Sequence, residues 1–302
     1  MALIGAALLI SQPQGSKVSQ FEAWKSQHSI HYPSEIENIY RERIFLENLA
    51  KIEAHNAQNS NTYEMGLNQF SAMTHEEFAE TYLNLIVDPE ASLRDSVDSV
   101  RNGDIDWVAQ GAVTGIKNQG QCGSCWAFSA TGGLEGLSKL SGSKLENFSE
   151  QQLVDCAGVL YGCQGCNGGL MDGAFRYVKK EGITHEDDYP YKAVKGSCNK
   201  KVTKEFKIKG YTDIKTCDAL VNALSARPIS IAVDATNWSP YKSGIFNNCK
   251  TSLNHGVLLV GVSDDFWVVK NSWGTTWGEK GFVRLARGNT CGLCNQASYP
   301  TN

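Results

Sequence analysis

Cys125 stands in the run Gln119-Gly120-Gln121-Cys122-Gly123-Ser124-Cys125-Trp126, and His255 and Asn271 follow 130 and 146 residues further on. These are the residue types that a thiol nucleophile, its general base and an orienting amide require. A thiol attacks a carbonyl only as thiolate, and its ordinary pKa of about 8.5 falls at a helix N-terminus or beside an imidazolium. Trp126, Ala127, Ala130, Leu134 and Leu137 sketch an apolar helical face, with Ser124 just ahead as a helix start. Cys125 is therefore expected in the first turn of a helix, at the positive end of its dipole.

The base and the orienter need a second element. His255 opens the apolar run Gly256 to Val262, Phe266-Trp267-Val268-Val269 forms another strand-like run ending at Asn271, and Ser263-Asp264-Asp265 lies between as a turn. The pattern predicts a hairpin centred near Ser263, which makes His255 and Asn271 near cross-strand neighbours, give or take a register shift. A competing chemistry comes from three C-x-x-C pairs, Cys122 with Cys125, Cys163 with Cys166 and Cys291 with Cys294, which suggest zinc or dithiol redox. The 37 residues between the first two pairs do not fit zinc-ribbon spacing of about 15 to 20, and a redox reading leaves His255 and Asn271 unexplained.

The chain that must position these groups has 302 residues, 41% hydrophobic and 20% charged, the mix of one large or two ordinary globular domains. Its net charge of −4 is unevenly spread: residues 1–100 carry 6 Lys+Arg against 14 Asp+Glu, and residues 101–302 carry 22 against 18. An acidic first part and a basic second part attract one another at low ionic strength, and acid weakens that attraction. The basic stretch from Lys192 to Lys209 alternates with Phe206 and Ile208, as an exposed strand does, so nucleic acid is not an expected partner. Ala2 to Ile10 reads as a short signal-peptide core within residues 1–14, and no run is long enough to span a membrane. Ten cysteines favour an oxidising compartment.

From Phe21 to Asn56 apolar positions, including Ile36, Ile39, Tyr40, Phe45, Leu49 and Ile52, fall at helical spacing, predicting one helical segment. Within it stands Glu37-x3-Arg41-x3-Phe45-x2-Asn48-x3-Ile52-x3-Asn56, and Gly66-x-Asn68-x-Phe70 follows. The first resembles the ERFNIN motif of papain-family propeptides and the second their G-x-N-x-F-x-D motif, with Ala72 where the family has Asp. The C-G-S-C-W core at Cys122 to Trp126 is similar to the active-site signature of papain and the cathepsins. Ser149-Glu150-Gln151, Gly165-Cys166-Asn167-Gly168-Gly169, Asn271-Ser272-Trp273-Gly274 and Ala297-Ser298-Tyr299-Pro300 match the same family, so the resemblance covers the whole chain and is closest to cathepsin L-like precursors.

That resemblance implies an α+β, papain-like fold of two halves, a helical one and a β-barrel-like one with the cleft between, preceded by a helical propeptide. It implies an inhibitory propeptide over residues 15–100, then a peptidase over 101–302, helical to about 210 and mainly β from 211. Processing would fall in the polar stretch before Asn102. A cysteine endopeptidase made as a zymogen is expected, acting on protein and peptide substrates and inhibited within the chain by its own propeptide. The resemblance assigns Cys125 as nucleophile, His255 as acid and base, Asn271 as its orienter, Gln119 as the oxyanion-hole amide and Trp273 as a cover. Gly168 and Gly169 would pair with substrate backbone, while Leu170, Met171, Ala235, Leu253, Gly256 and Gln296 would surround a pocket for a hydrophobic or aromatic P2 residue. It also implies disulfides Cys122–Cys166, Cys156–Cys198 and Cys249–Cys291, leaving Cys163, Cys217 and Cys294 unassigned. No cofactor or metal is implied, a monomer is expected, and the destination is the lysosome, the vacuole or the exterior. No insertion follows Asp155-Cys156 to occlude the cleft, which favours endopeptidase action.

Overall fold

The computed structural model describes residues 14–87 and 103–302. The signal-peptide reading, apart from Gln14, and the processing stretch from residue 88 to 102 lie outside the described residues.

The N-terminal segment is α1 (Gln14–His28), α2 (Glu35–Asn56), β1 (Tyr63–Met65) and α3 (His75–Tyr82). The single helix expected from the periodicity is two, because the chain turns between His28 and Glu35. Ser29 takes φ 53° there, and Ser34 caps α2 by accepting the Glu37 N–H. The restart follows Pro33, which disfavours a helical residue ahead of it. Ile44, Phe45, Leu49 and Ile52 form the buried stripe of α2. Phe45 and Leu49 close on Phe21, Trp24 and Ala72 in a small core. Ile36 and Ile39 do not join it; they are 82% and 58% exposed, on a face of α2 that nothing covers among the described residues. α3 starts with a full capping box, in which Thr74 accepts the Glu77 N–H while the Glu77 carboxylate accepts the Thr74 N–H.

The remainder runs β2 (Ile105–Asp106), α4 (Cys125–Leu140), α5 (Glu150–Cys156), α6 (Met171–Glu181), β3 (Gly210–Ile214), α7 (Cys217–Leu224), β4 (Ile229–Val233), β5 (Tyr241–Phe246), β6 (His255–Val262), β7 (Phe266–Lys270), β8 (Phe282–Ala286) and β9 (Ala297–Thr301). Helix α4 is buried from Cys125 to Ser138, so it is a core helix and not a surface one. α5 and α6 pack against it, and Trp126, Ala130, Leu134, Leu153, Phe175 and Val178 fill the space between. Its other side lies against β4, β6 and β9. Gly132 permits that approach, since a Cβ there would sit 2.8 Å from Leu258 Cδ2.

The sheet runs β1-β5-β8-β7-β6-β4-β9-β3, with β2 on the end of β6. It is antiparallel except where β5 meets β8, and it is open, not the barrel-like closure expected from the resemblance. Strand β1 from the N-terminal segment adds itself to the free edge of β5, Tyr63 opposite Gly244. The two halves of the chain therefore share one sheet as well as their surfaces.

Candidate active site

Cys125 is the first residue of α4, behind the N-cap Ser124, and is wholly buried. His255 is the first residue of β6, and Asn271 directly follows the last residue of β7. The β6–β7 hairpin forms as the alternation predicts, but its register differs. Leu258 pairs Lys270 and Leu259 pairs Val269, then the register slips so that Gly261 pairs Val268. The irregularity adds a residue to β6, and His255 lies opposite Val233 of β4. The side chains of His255 and Asn271 nevertheless meet, with His255 Nε2 2.8 Å from Asn271 Oδ1. Oδ1 also accepts the Ser272 N–H at 2.8 Å, which identifies that amide atom as the oxygen and makes Nε2 the donor. The basic lone pair is then on Nδ1, which makes no hydrogen bond of good geometry among the described residues.

Gly256 ties this hairpin to the helix: a Cβ there would lie 3.3 Å from the Cys125 carbonyl oxygen and 3.3 Å from Trp126 Cα. Trp273 covers the pair from the other side, its ring centroid 4.7 Å from that of His255. Gln119 is fully buried beside them. Its Oε1 accepts from Ser272 Oγ at 2.8 Å and Trp273 Nε1 at 3.1 Å, and its Nε2 donates to the Cys122 carbonyl at 3.1 Å. With the oxygen engaged twice, the amide is oriented and one Nε2 proton remains for another acceptor.

The N-terminal segment closes the site. Phe70, Phe78 and Tyr82 stand edge-on to Trp273. Beyond α3 the chain passes over Cys125: the Ile86 N–H donates to the Gly169 carbonyl at 3.0 Å and the Leu85 N–H to the Asn254 carbonyl at 3.1 Å. A Cβ on Gly168, whose φ is +110°, would fall 2.2 Å from the Asn84 carbonyl oxygen, so only glycine admits this approach. Leu85 is buried in the same cluster as Cys125, Trp126 and Met171, with Leu253 packed against it. Leu170, the residue before α6, is half-buried at its edge, and the Cβ position of Gly256 is 3.2 Å from Met171 Sδ. Ala235 lies in the core of the sheet instead, its N–H held by Asn254 Oδ1. Gln296 is 8% exposed, and its carbonyl accepts the Ala232 N–H.

This cover inverts the protonation expected of the pair. Burial pushes the Cys125 thiol up to about 11, against smaller help from the Gly256, Trp126 and Asn84 backbone. Burial likewise pushes His255 down to about 4, opposed by Asn271 and weakly by the Tyr82 carbonyl. Thiol and imidazole are both neutral between those values.

Sequence reasoning did not foresee the ionic group beneath the site. Lys117, two residues before Gln119, lies 2.9 Å from Glu135 and 2.6 Å from Glu150, both carboxylates fully buried. Lys270, next to Asn271, donates to Thr114 Oγ1, which donates to Glu135. Burial brings Lys270 down to about 8. Tyr191, whose hydroxyl touches Ser124 and Gln119, was also missed; no periodicity or spacing marks it.

The disulfides are Cys122–Cys166, Cys156–Cys198 and Cys249–Cys291, with a fourth, Cys217–Cys294. Cys125 and Cys163 are free and buried. Cys122 is thus bonded away from Cys125, which removes the dithiol arrangement.

A buried thiol at a helix start, a histidine bound to an asparagine amide and a segment laid through the cleft define an autoinhibited thiol hydrolase. Comparison with known proteins gives the family: residues 102–301 match the papain family of cysteine proteases, and residues 21–78 the cathepsin propeptide inhibitor domain. The chain belongs to that family. It is 43% identical over 312 residues to cathepsin L 2 of Paramecium tetraurelia, covering 99% of each chain, and 41% identical over 332 residues to cathepsin L of Sarcophaga peregrina, covering 100% of this chain and 97% of the other. Its fold matches a recombinant stem bromelain precursor with TM-score 0.87 at 38% identity, over 95% of this chain and 99% of that one. It matches the digestive procathepsin L 3 of Tenebrio molitor larval midgut with TM-score 0.85 at 39% identity, over 95% and 99%. The protein is a cathepsin L-like cysteine endopeptidase with an inhibitory propeptide domain, held here in its zymogen form.

Proposed function

We propose that Cys125, His255, Asn271 and Gln119 carry the hydrolysis. Once uncovered, the Cys125 thiolate adds to the scissile carbonyl, and its oxyanion is held by Gln119 Nε2 and the Cys125 N–H. The protonated His255 gives its proton to the departing amine, leaving a thioester. His255 then takes a proton from water, whose oxygen attacks the thioester, and the acid leaves with the thiolate and the protonated His255 restored. Asn271 keeps Nε2 protonated and the ring in place, and Trp273 keeps water from their hydrogen bond. The 2.8 Å contact between His255 and Asn271 is the observation that carries this reading.

The propeptide reading extends over residues 15–100 and the enzyme over 101–302, its helical half to about 210 and its mainly β half beyond. Gly168 and Gly169 take the substrate backbone, and a hydrophobic or aromatic P2 side chain enters the space now filled by Leu85 among Met171 and Leu253, with Gln296 at its floor. Leu85 pairs Gly169 in parallel sense. Four disulfides favour the secretory pathway, with a lysosomal, vacuolar or extracellular destination, and the enzyme works as a monomer.

The test is cleavage of a fluorogenic peptide with Phe at P2, before and after acidifying the purified precursor, with Cys125→Ala in parallel. A rise on acidification that the variant lacks supports the reading. Equal cleavage by the variant overturns the assignment of the nucleophile.

A further inference from the structure

We infer that Tyr191 is a positioning residue of the oxyanion hole, setting the separation of its two donors through hydrogen bonds to Gln119 and Ser124. The inference rests on Gln119 and the Cys125 N–H being those donors.

Tyr191 Oη lies 2.7 Å from the Gln119 carbonyl oxygen and 2.6 Å from Ser124 Oγ. A phenol has one proton, and a carbonyl can only accept, so that proton goes to Gln119. Ser124 must then be the donor in the second contact. The result is a directed chain from the Ser124 hydroxyl through the Tyr191 hydroxyl to the Gln119 carbonyl.

Its two ends are informative. Gln119 and Ser124 bound the loop that turns into α4, with Gly120 at φ +58° between them. Gln119 carries one oxyanion donor on its side chain, and Ser124 is joined directly to Cys125, which carries the other. The serine stands at the N-cap, where its side chain would ordinarily bond the first turn of the helix, yet it makes no such bond. Its hydroxyl makes its short contact with Tyr191 at 2.6 Å and lies 3.4 Å from the Cys122 carbonyl. The rest of the loop is pinned by the Cys122–Cys166 disulfide, by Gly123 N–H on the Cys166 carbonyl and by Gln119 N–H on the Ser272 carbonyl. The loop's two ends are joined through the Cys122 carbonyl, which accepts Gln119 Nε2 and the Ser124 N–H, and from outside the loop by Tyr191. Donors aimed at an oxyanion stabilise it only within tenths of an ångström of their proper places, so a brace across the loop acts on rate.

Tyr191 is itself well held. Its ring stands edge-on to Phe128 at 4.9 Å, and its N–H donates to Glu186. Burial raises the phenol above its ordinary value, with Glu150, Cys125 and Glu186 acting in the same sense against the Ser124 bond, so the proton stays in place across the acid and neutral range.

The test uses Tyr191→Phe in the full precursor, which keeps the ring against Phe128 and removes both hydrogen bonds. The precursor is processed by acid, with trace wild-type enzyme if needed, and active sites are counted by alkylation. We expect kcat to fall about three- to tenfold, the rate equivalent of one net hydrogen bond, with KM changed by less than about twofold. A peptide aldehyde, whose hemithioacetal oxygen enters the same hole, should bind weaker by the same factor. Alkylation of Cys125 by iodoacetamide, which builds no oxyanion, should keep its rate. An unchanged kcat overturns the inference, and so does a fall in kcat matched by the alkylation rate, which would place the defect at the thiol. Gln119→Ala run alongside separates the two layers: if it keeps wild-type kcat the oxyanion reading of Gln119 fails, and if it loses rate while Tyr191→Phe does not, only the brace fails. Should the Phe variant not accumulate as folded precursor, Ser124→Ala carries the same test. A parallel loss of kcat and aldehyde affinity there supports the brace, and no loss overturns it.

Discussion

Arg41 of α2 holds the carboxylate of Glu77 of α3 at 2.6 Å, and its Nε holds Glu37 at 2.6 Å. This joins the two helices of the propeptide whose far end lies in the cleft. Glu77 is kept below the ordinary carboxyl range chiefly by the Arg41 hydrogen bond, against some desolvation, with the Thr74 N–H helping. A depressed carboxyl contributes stability that is present above its unfolded pKa and is lost as pH falls through the folded value. The propeptide is therefore expected to loosen below the ordinary carboxyl range. Glu77→Gln removes the charge at every pH, so its precursor should release activity at a higher pH than wild type. A pH series of activation with an unmoved midpoint refutes this role.

Ala72 belongs to the same region. Ala72 stands where the family has a carboxylate, and that loss by itself implies a shifted or blunted acid response. The structure puts the Ala72 side chain, 2% exposed, among Phe21, Trp24, Phe45 and Leu49, with its carbonyl 3.1 Å from Arg41 Nη1. Arg41 already holds two carboxylates, and acid sensitivity persists through Glu77. Ala72→Asp places a carboxyl among apolar side chains, where burial disfavours its charged form, so the precursor is expected to loosen already near neutral pH and to activate over a wider pH range. An activation profile identical to wild type contradicts that expectation.

The neutral state of the covered pair has a chemical signature. With Cys125 near 11 and His255 near 4, both shifted by burial, the precursor holds thiol and imidazole uncharged through that interval. Removing the propeptide returns solvent to both groups, which lowers the thiol, raises the imidazole and lets the ion pair form at a helix N-terminus. The rate of iodoacetamide alkylation at pH 6 should therefore rise by an order of magnitude or more on processing. Equal rates before and after processing are incompatible with this account.

The part of the site that was legible in the sequence is the part written in local periodicity. Apolar spacing after Cys125 put it at a helix start, and strand alternation on either side of Ser263 brought His255 towards Asn271. The irregularity between Leu259 and Gly261 was not legible, because one extra residue leaves the alternation nearly intact. Nor was the break ahead of α2, where Pro33 overrides a periodicity that continues through it. The protonation state reversed because burial, to which Leu85 some forty residues away in sequence contributes, outweighs the lowering by nearby backbone groups. Tyr191 and Lys117 act through contacts between distant segments, and a tyrosine or lysine in a loop carries no mark of its partners. That two of Cys163, Cys217 and Cys294 could bridge follows from the count, but which two was beyond reach, because Cys217 and Cys294 are 77 residues apart and no spacing rule joins them.

That fourth disulfide should be worth measuring on its own. Both of its cysteines are buried, and it ties the first residue of α7 to the loop that leads into β9 through Gln296. A bridge closing a 77-residue loop restricts the unfolded chain enough to stabilise by about 4.5 kcal/mol at most on the chain-entropy relation. The double replacement of Cys217 and Cys294 by Ser should lower stability by part of that amount in urea unfolding of the precursor. An unaltered midpoint would show the bridge to be energetically silent.

The ionic group around Lys117 yields the largest expected loss. Lys117 is held above its ordinary value by Glu135, Glu150 and Glu186 although burial alone would lower it, and burial lifts Glu150 in turn. Replacing a fully buried pair by apolar groups is often neutral, but removing one member strands the others. Lys117→Met leaves Glu135 and Glu150 in the core with no other ion-pair partner among the described residues, since Lys270 reaches Glu135 only through Thr114. The cost should be about 3 to 5 kcal/mol. Because one of those carboxylates can escape the cost by taking a proton, the deficit should shrink as pH falls and be greatest near neutrality. Lys117→Met together with Glu150→Gln should recover part of the loss, since it removes one of the stranded charges. Urea unfolding of the three precursors at neutral and at mildly acidic pH measures this directly. A single variant as stable as wild type, or a deficit that grows with acid, rules out the group as a balanced buried network.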